Sequence, residues 1–438
     1  MSGAAVAAVG FAVMLALIAI RMPVGLSMLV TGAAGYVYLS GWAPLLAYMK
    51  TNPYYQFANY TLSVIPLFIL MGALAERSGL STALFKAAEA FIGRMRGGLA
   101  MAVIWACTAF GAICGSSVAT TATFGRAALP ELQRYRYDPG FATGTVAVGG
   151  TLGILIPPSV ILVVYAITTE QNIAKLFKAA LIPGLLAAVL YCVAIAIVVR
   201  RRPELAPPAS LEVGGRLAAL ARVWPALVIA VIVVGGIYGG VFTPTEGAAF
   251  GAISMLLVGI GQRTLTLRGI FDSLRQTAET SAMIFIILLG SEVFDAFLAL
   301  SRLPELAADM VAKSGLSPYA VVVALMVFYI LLGAVMDELA MLLLTLPVFF
   351  PIVQALDFGL APDEVAIWFG ILVLIVVGIG LTAPPIGLNV FVVSSIARTV
   401  PIAATYRGVL PFIAMDIVRL GLVVAFPGLA LWLVRQLN

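Results

Sequence analysis

A chain of 438 residues would ordinarily make two or three soluble domains, but 62% hydrophobic residues, 10% charged residues and a mean hydropathy of +1.11 lie far outside globular composition. This is a polytopic membrane protein, with room for at most about a dozen spans of ~20 residues and none for a separate catalytic domain. The net charge of +5 then reports orientation in the bilayer rather than a nucleic-acid partner, and the complete absence of His removes the usual general base, proton relay and transition-metal ligand.

In chain order, apolar segments predict spans near residues 3–20, 24–40, 60–76, 141–169, 178–200, 224–241, 246–261, 277–300, 364–397 and 408–434. The run from Ala4 to Ile20 lacks the basic start of a cleaved signal peptide and is expected to be the first helix. Residues 42–59, polar and rich in Tyr and Pro, are expected to form an interfacial helix or loop. Two further stretches, 98–128 and 317–356, carry a polar break at the middle and charge at both ends, the pattern of a hairpin that enters and leaves by one face. Cys107, Cys114 and Cys192 all lie in apolar runs and read as small packing residues.

Positive charge orients this threading. With an external N-terminus, 18 of the 25 Lys and Arg fall on the cytoplasmic side, among them Arg94 and Arg200 to Arg202. Six fall outside, including Lys175, Lys313 and Arg435. Both termini are then external, and the segment from Arg200 to Arg222 is a cytoplasmic link between halves.

Those halves repeat. GAICGSSVA at 111–119 and GAVMDELAM at 333–341 each mark a hairpin midpoint, GILIPPS at 153–159 matches GLTAPPI at 380–386, and Pro183 and Pro411 follow at nearly equal distances. Pro157 and Pro158 thus align with Pro384 and Pro385. One copy starts outside and the other inside, so the predicted fold is an all-α membrane protein with an inverted repeat of two helical hairpins and two discontinuous helices. Paired prolines remove backbone donors and leave carbonyls unpaired at membrane depth, which is tolerated only where protein or a watery cavity satisfies them.

Candidate ligands cluster at these breaks. Ser116, Ser117, Thr120, Thr121 and Thr123 form the first tip, where helix packing is the competing explanation. Asp337 and Glu338 form the second; an intramembrane carboxylate costs about 2.5–3.5 kcal/mol and marks function unless a partner such as Arg126 neutralises it. Thr168 and Thr169 follow the first break, and Asn389, Ser394 and Ser395 the second. Glu246 reads as a first-turn acid of a helix, and Asp416 and Arg419, three residues apart, as an ion pair. Enzymatic use is disfavoured because Asp337 and Glu338 are adjacent rather than split between two elements, and a channel because no ring of like ligands is present.

Across nearly its whole length the sequence resembles the large membrane subunit of tripartite ATP-independent periplasmic (TRAP) transporters. The resemblance is carried by GSSVATTATFG, GTLGILIPPS, GVFTPTEGAAFG, LLGAVMDELAM and GLTAPPIGLNVFV. It implies a sodium-driven elevator, not an enzyme, in a bacterial or archaeal cytoplasmic membrane, with no cofactor beyond Na+ as the coupling ion. Residues 1–59 would be N-terminal scaffold and interfacial segment, and 60–200 the first repeat with arm 79–95, hairpin 98–128 and broken helix 141–169. Residues 201–276 would be linkers and two scaffold helices, and 277–438 the second repeat with arm 303–314, hairpin 317–356 and broken helix 364–397. Family sodium sites map onto Gly115, Ser116, Ser117 and Gly153 in one half and Asp337, Gly380, Thr382 and Asn389 in the other. The implied partners are a separate small four-helix membrane subunit, an extracytoplasmic substrate-binding protein and a carboxylate substrate. The alternative is a stand-alone ion-coupled dicarboxylate carrier or antiporter.

Overall fold

The computed structural model describes residues 2–207 and 216–437, so part of the link predicted at 200–222 lies outside the described residues. Among the described residues every regular element is helical. Helices α1 (Gly3–Ala19) and α2 (Val24–Ser40) lead into α3 (Trp42–Phe57), whose Trp42, Leu46, Tyr54 and Tyr55 are exposed. Next come α4 (Val64–Arg77) and α5 (Leu80–Ile92), a hairpin of α6 (Gly98–Cys114) and α7 (Ser117–Arg134), and a bent pair, α8 (Pro139–Leu155) and α9 (Val160–Thr168). The long α10 (Ile173–Arg201), α11 (Arg216–Tyr238), α12 (Pro244–Gly261) and α13 (Leu267–Ser301) follow. The series then recurs: α14 (Leu303–Lys313), a hairpin of α15 (Pro318–Gly333) and α16 (Glu338–Gln354), a broken pair of α17 (Pro362–Gly380) and α18 (Leu388–Ile396), α19 (Ile402–Ala425) and the short α20 (Gly428–Gln436).

Seven of these helices are long and apolar enough to cross a bilayer alone, and α8 with α9, bent by 44°, makes an eighth. The 17-residue α1 and α2 are apolar too. Helix starts follow their sequence signals: Asp138, Ser159, Thr266 and Ser317 each cap with a side-chain oxygen, and Thr243 and Glu246 close a capping box at α12.

The two hairpins enter from opposite ends. Leu205, just past the C-terminus of α10, accepts a bond from the Asp138 amide at 2.9 Å, next to the base of the first hairpin at Arg134. Lys175, at the other end of α10, meets Asp363 at 3.3 Å, and Gln354 at the base of the second hairpin donates to the Pro362 carbonyl at 3.2 Å. Since α10 has 29 residues at ~1.5 Å each, the hairpin bases lie about 40 Å apart. Two hairpins pointing toward one another from opposite ends define the inverted repeat.

Helices α8 and α17 form the core. Every residue of α17 from Val365 to Gly380 is buried, as expected of a helix apolar all round. Helix α8 keeps glycine where another backbone presses close: a Cβ on Gly144 would stand 2.5 Å from the Gly408 carbonyl carbon of α19. The same device seats α2 on α13, where Gly290 admits the Gly25 carbonyl.

Candidate substrate and ion site

The first tip is built by a sharp reversal. Helix α6 ends at Gly115, which takes φ +63°, and Ser116 then starts α7 as its N-cap. Gly115 is confined by the first break, because a Cβ there would lie 2.7 Å from the Pro158 carbonyl oxygen. A Cβ on Gly153 would lie 2.5 Å from the Ser116 carbonyl oxygen. Gly115, Ser116 and Gly153 are thus brought together, with the end of α8 pressed against the start of α7. The break itself, residues 156–159, is buried throughout, Pro157 and Pro158 included.

Ser117 is fully buried, and its Oγ accepts a hydrogen bond from Asn389 Nδ2 at 2.7 Å. Asn389 also donates to the Ala147 carbonyl of α8 at 3.1 Å. Grouped by sequence with the second tip, this side chain therefore reaches the first, and it joins the repeats across 272 residues. Its amide is held by the Leu381 carbonyl at 2.9 Å, which closes the second break. Asn389 Oδ1 is buried without a partner in the protein, as are Thr121 Oγ1 and Thr123 Oγ1 on α7. Thr121 abuts Gly150 of α8 and Asn389 bonds the same helix one turn earlier, so the unpaired oxygens of Asn389 and Thr121 lie where α7, α8 and α18 meet. Such oxygens are costly unless a ligand takes them, and hydroxyl, amide and carbonyl oxygens suit a hard cation.

The second tip has the same backbone plan. Asp337 caps α16, its Oδ1 accepting from Leu339 and Ala340 amides at 3.1 and 3.0 Å. A Cβ on Gly380 would lie 2.7 Å from Gly333, so α17 presses on the hairpin here as well. The Ile386 amide donates to the Ala334 carbonyl at 3.2 Å, and Gly387, with φ +56°, turns the chain into α18. Thr382 is buried but bonds back to the Ile379 carbonyl at 3.1 Å. Glu338 Oε2 is buried without a partner in the protein. Pro384 and Pro385 are exposed, and this break is longer, residues 381–387. Both proline pairs carry a cis peptide bond.

Several side chains prove to be local. Arg126 does not neutralise the acidic tip; it pairs with Glu76 at 2.8 Å on its own side of the molecule. Thr168, Thr169 and Ser395 turn back onto the carbonyls of Val164, Tyr165 and Val392. Sequence reading passed over four residues. Glu292 and Asp295 on α13 each bury one carboxylate oxygen without a partner, beside Ser291, which donates to Leu343 of the second hairpin at 3.3 Å. Two acids three residues apart in an apolar span were the available signal. Tyr191 and Tyr406 gave none, because a tyrosine in an apolar helix is ordinary packing until its hydroxyl partner is known.

Paired opposed hairpins, each docked on a broken helix, are the construction of membrane carriers. The DctM component of the tripartite ATP-independent periplasmic transporters matches residues 11–429, and the chain belongs to that family. It is 37% identical to the C4-dicarboxylate TRAP transporter large permease protein DctM of Pseudomonas aeruginosa, over 87% of each chain. It is 31% identical to the sialic acid TRAP transporter large permease protein SiaM of Vibrio cholerae, over 86% of each. A third relative, the ectoine TRAP transporter large permease protein TeaC of Halomonas elongata, is 32% identical over 85% of this chain and 86% of its own. The crystal structure of the Alcanivorax borkumensis YdaH transporter shares the fold at a TM-score of 0.66, with 16% identity over 88% of this chain and 90% of that one. The protein is a multi-span transporter permease, not an enzyme.

Proposed function

We propose that this chain imports a small carboxylate by sodium symport across a cytoplasmic membrane, sliding its hairpins and broken helices through a fixed scaffold. The observation that carries the reading is the pair of unpaired buried oxygens, Asn389 Oδ1 and Thr121 Oγ1, beside a broken helix and a hairpin tip. The relatives named for C4-dicarboxylate, sialic acid and ectoine transport support a carboxylate-bearing substrate. Membership of a tripartite family supports delivery by an extracytoplasmic binding protein and pairing with a small membrane subunit. The charge bias of the loops supports external termini, with Arg94 inside and Lys175 and Lys313 outside.

The energetics favour more than two sodium ions if the substrate is a dianion. Two would move no net charge, whereas each further charge draws about 2.3 kcal/mol per 100 mV from the membrane potential. The test is uptake into proteoliposomes holding this chain and the small subunit, with the binding protein outside and sodium and potential varied independently. Concentrative uptake that needs an inward sodium gradient and both partners is expected. Robust accumulation by the isolated chain would favour the stand-alone carrier instead.

A further inference from the structure

Between the two breaks runs a buried polar chain that ligand binding at the tips does not explain. Thr151, Tyr191 and Arg419 are fully buried, and Asp416 is 2% exposed. Thr151 Oγ1 and Tyr191 Oη are 3.3 Å apart, and Tyr191 donates to Asp416 Oδ2 at 2.7 Å. Arg419 Nη2 stands 2.8 Å from Asp416 Oδ1, but off the angle of a hydrogen bond, so all three guanidinium nitrogens lack a hydrogen-bond partner in the protein. Stability alone gives no reason for this arrangement, because a buried ion pair is often no better than well-packed apolar residues in its place.

The repeat locates the chain of contacts. Tyr191 lies eight residues after Pro183, and Arg419 eight after Pro411, so the two hold equivalent positions on α10 and α19. Thr151 and Gly378 each lie six residues before the first proline of their pair, and a Cβ on Gly378 would meet Thr151 at 3.7 Å. Equivalent residues touch only where the two repeats meet. The polar chain therefore crosses that seam, with Thr151 and Tyr191 from one repeat and Asp416 and Arg419 from the other.

Helix α19 also reaches the second break. Near its start Tyr406 sends its hydroxyl to the carbonyls of Pro385 and Ile386, at 2.9 and 2.6 Å. At the other end of the chain Thr151 stands two residues from Gly153, which packs on the Ser116 carbonyl. One helix thus holds the second break directly and the first through Asp416, Tyr191 and Thr151.

We propose that Tyr191, Tyr406, Asp416 and Arg419 are positioning residues that keep the two breaks in fixed register through α19, so that sodium arriving at one break raises affinity at the other. This rests on the sodium reading above. Linkage between sites is typically about 5- to 150-fold and must act in both directions.

The experiment measures initial uptake against external sodium for the complete complex in proteoliposomes. Tyr191→Phe and Tyr406→Phe each delete one hydroxyl, and the expected result is a flatter sodium curve with unchanged half-saturation by substrate at saturating sodium. The double variant Asp416→Leu/Arg419→Met should flatten the curve equally while melting in detergent no lower than the wild type. Three variants with the wild-type slope would overturn the coupling. So would loss of uptake in step with a lowered melting temperature, which marks a purely structural role. Wild-type uptake indifferent to sodium would overturn the symport reading itself, and with it this one, so the wild-type curve tells the two failures apart.

Discussion

Pro157 and Pro158 are buried, whereas Pro384 and Pro385 are exposed, although both pairs end the first half of a broken helix. The first break is short and enclosed, beside a tip rich in hydroxyls; the second is longer and open, beside a tip that carries Asp337 and Glu338. One backbone device therefore stands in two different surroundings. Enclosure at the first break lets neutral oxygens be held in place by packing, as Gly115 and Gly153 are by the groups pressed on them. The second tip instead holds a carboxylate, Asp337, fixed by two backbone amides.

The largest expected effect falls where the two regions join. Asn389→Leu removes both donors, leaves the buried Ser117 hydroxyl without its partner at about 1–3 kcal/mol, and strips the Ala147 carbonyl of the bond it accepts besides its helical one. Uptake should fall more than tenfold, and Asn389→Asp should restore little because it returns no donor. Uptake within twofold of the wild type in Asn389→Leu would mean that the inter-repeat bond is incidental.

Next in size is Asp337→Asn. Asn caps a helix about as well as Asp, so the tip keeps its fold while losing its charge. Half-saturating sodium should rise about tenfold with the melting temperature unchanged. Asp337→Ala should add a capping loss of about 0.5–2 kcal/mol and lower the melting temperature as well. If Asn and Ala behave alike in both readouts, the carboxylate is only a cap.

The difference in enclosure has its own test. With Cys107, Cys114 and Cys192 replaced, a single cysteine at exposed Ile386 should react with a water-soluble maleimide at least tenfold faster than one at buried Ile156. Sodium should slow the first reaction and leave the second unchanged. Equal rates would erase the distinction between the breaks.

What was legible in the sequence follows from the range of each interaction. Proline pairs and hairpin tips act over a few residues, so Ser116 and Asp337 could be marked from local pattern, Gly115 and Gly153 from the family resemblance, and the all-helical fold from hydropathy and repetition. The Asp416 and Arg419 pair, one turn apart, was equally visible. The direction of Asn389 was not, since its partners Ser117 and Ala147 are 272 and 242 residues away. Tyr191 was hidden for the same reason, its partner Asp416 being 225 residues away, and Tyr406 because its partners Pro385 and Ile386 lie across a helix break. Nor does sequence distance reveal that Arg126 pairs with Glu76, 50 residues away.

The smallest effect expected is that of Ser116→Ala, and its size sharpens the contrast between the tips. The Ser116 side chain caps α7 through a long bond, 3.4 Å to the Ala119 amide, whereas its carbonyl accepts from both the amide and the hydroxyl of Thr120, at 3.1 and 2.7 Å. The backbone at the first tip is therefore held mainly by Thr120 and by Gly153 packed on it, and both survive the substitution. Losing a weak cap costs the low end of about 0.5–2 kcal/mol. Half-saturating sodium should rise about two- to fivefold, clearly less than in Asp337→Asn, with binding-protein docking unaltered. Ser116→Ala in the complete complex, with sodium titrated and binding-protein affinity measured in parallel, decides the matter. A shift as large as that of Asp337→Asn would show that the first tip also binds its ion through a side chain, and the two breaks would then share their chemistry after all.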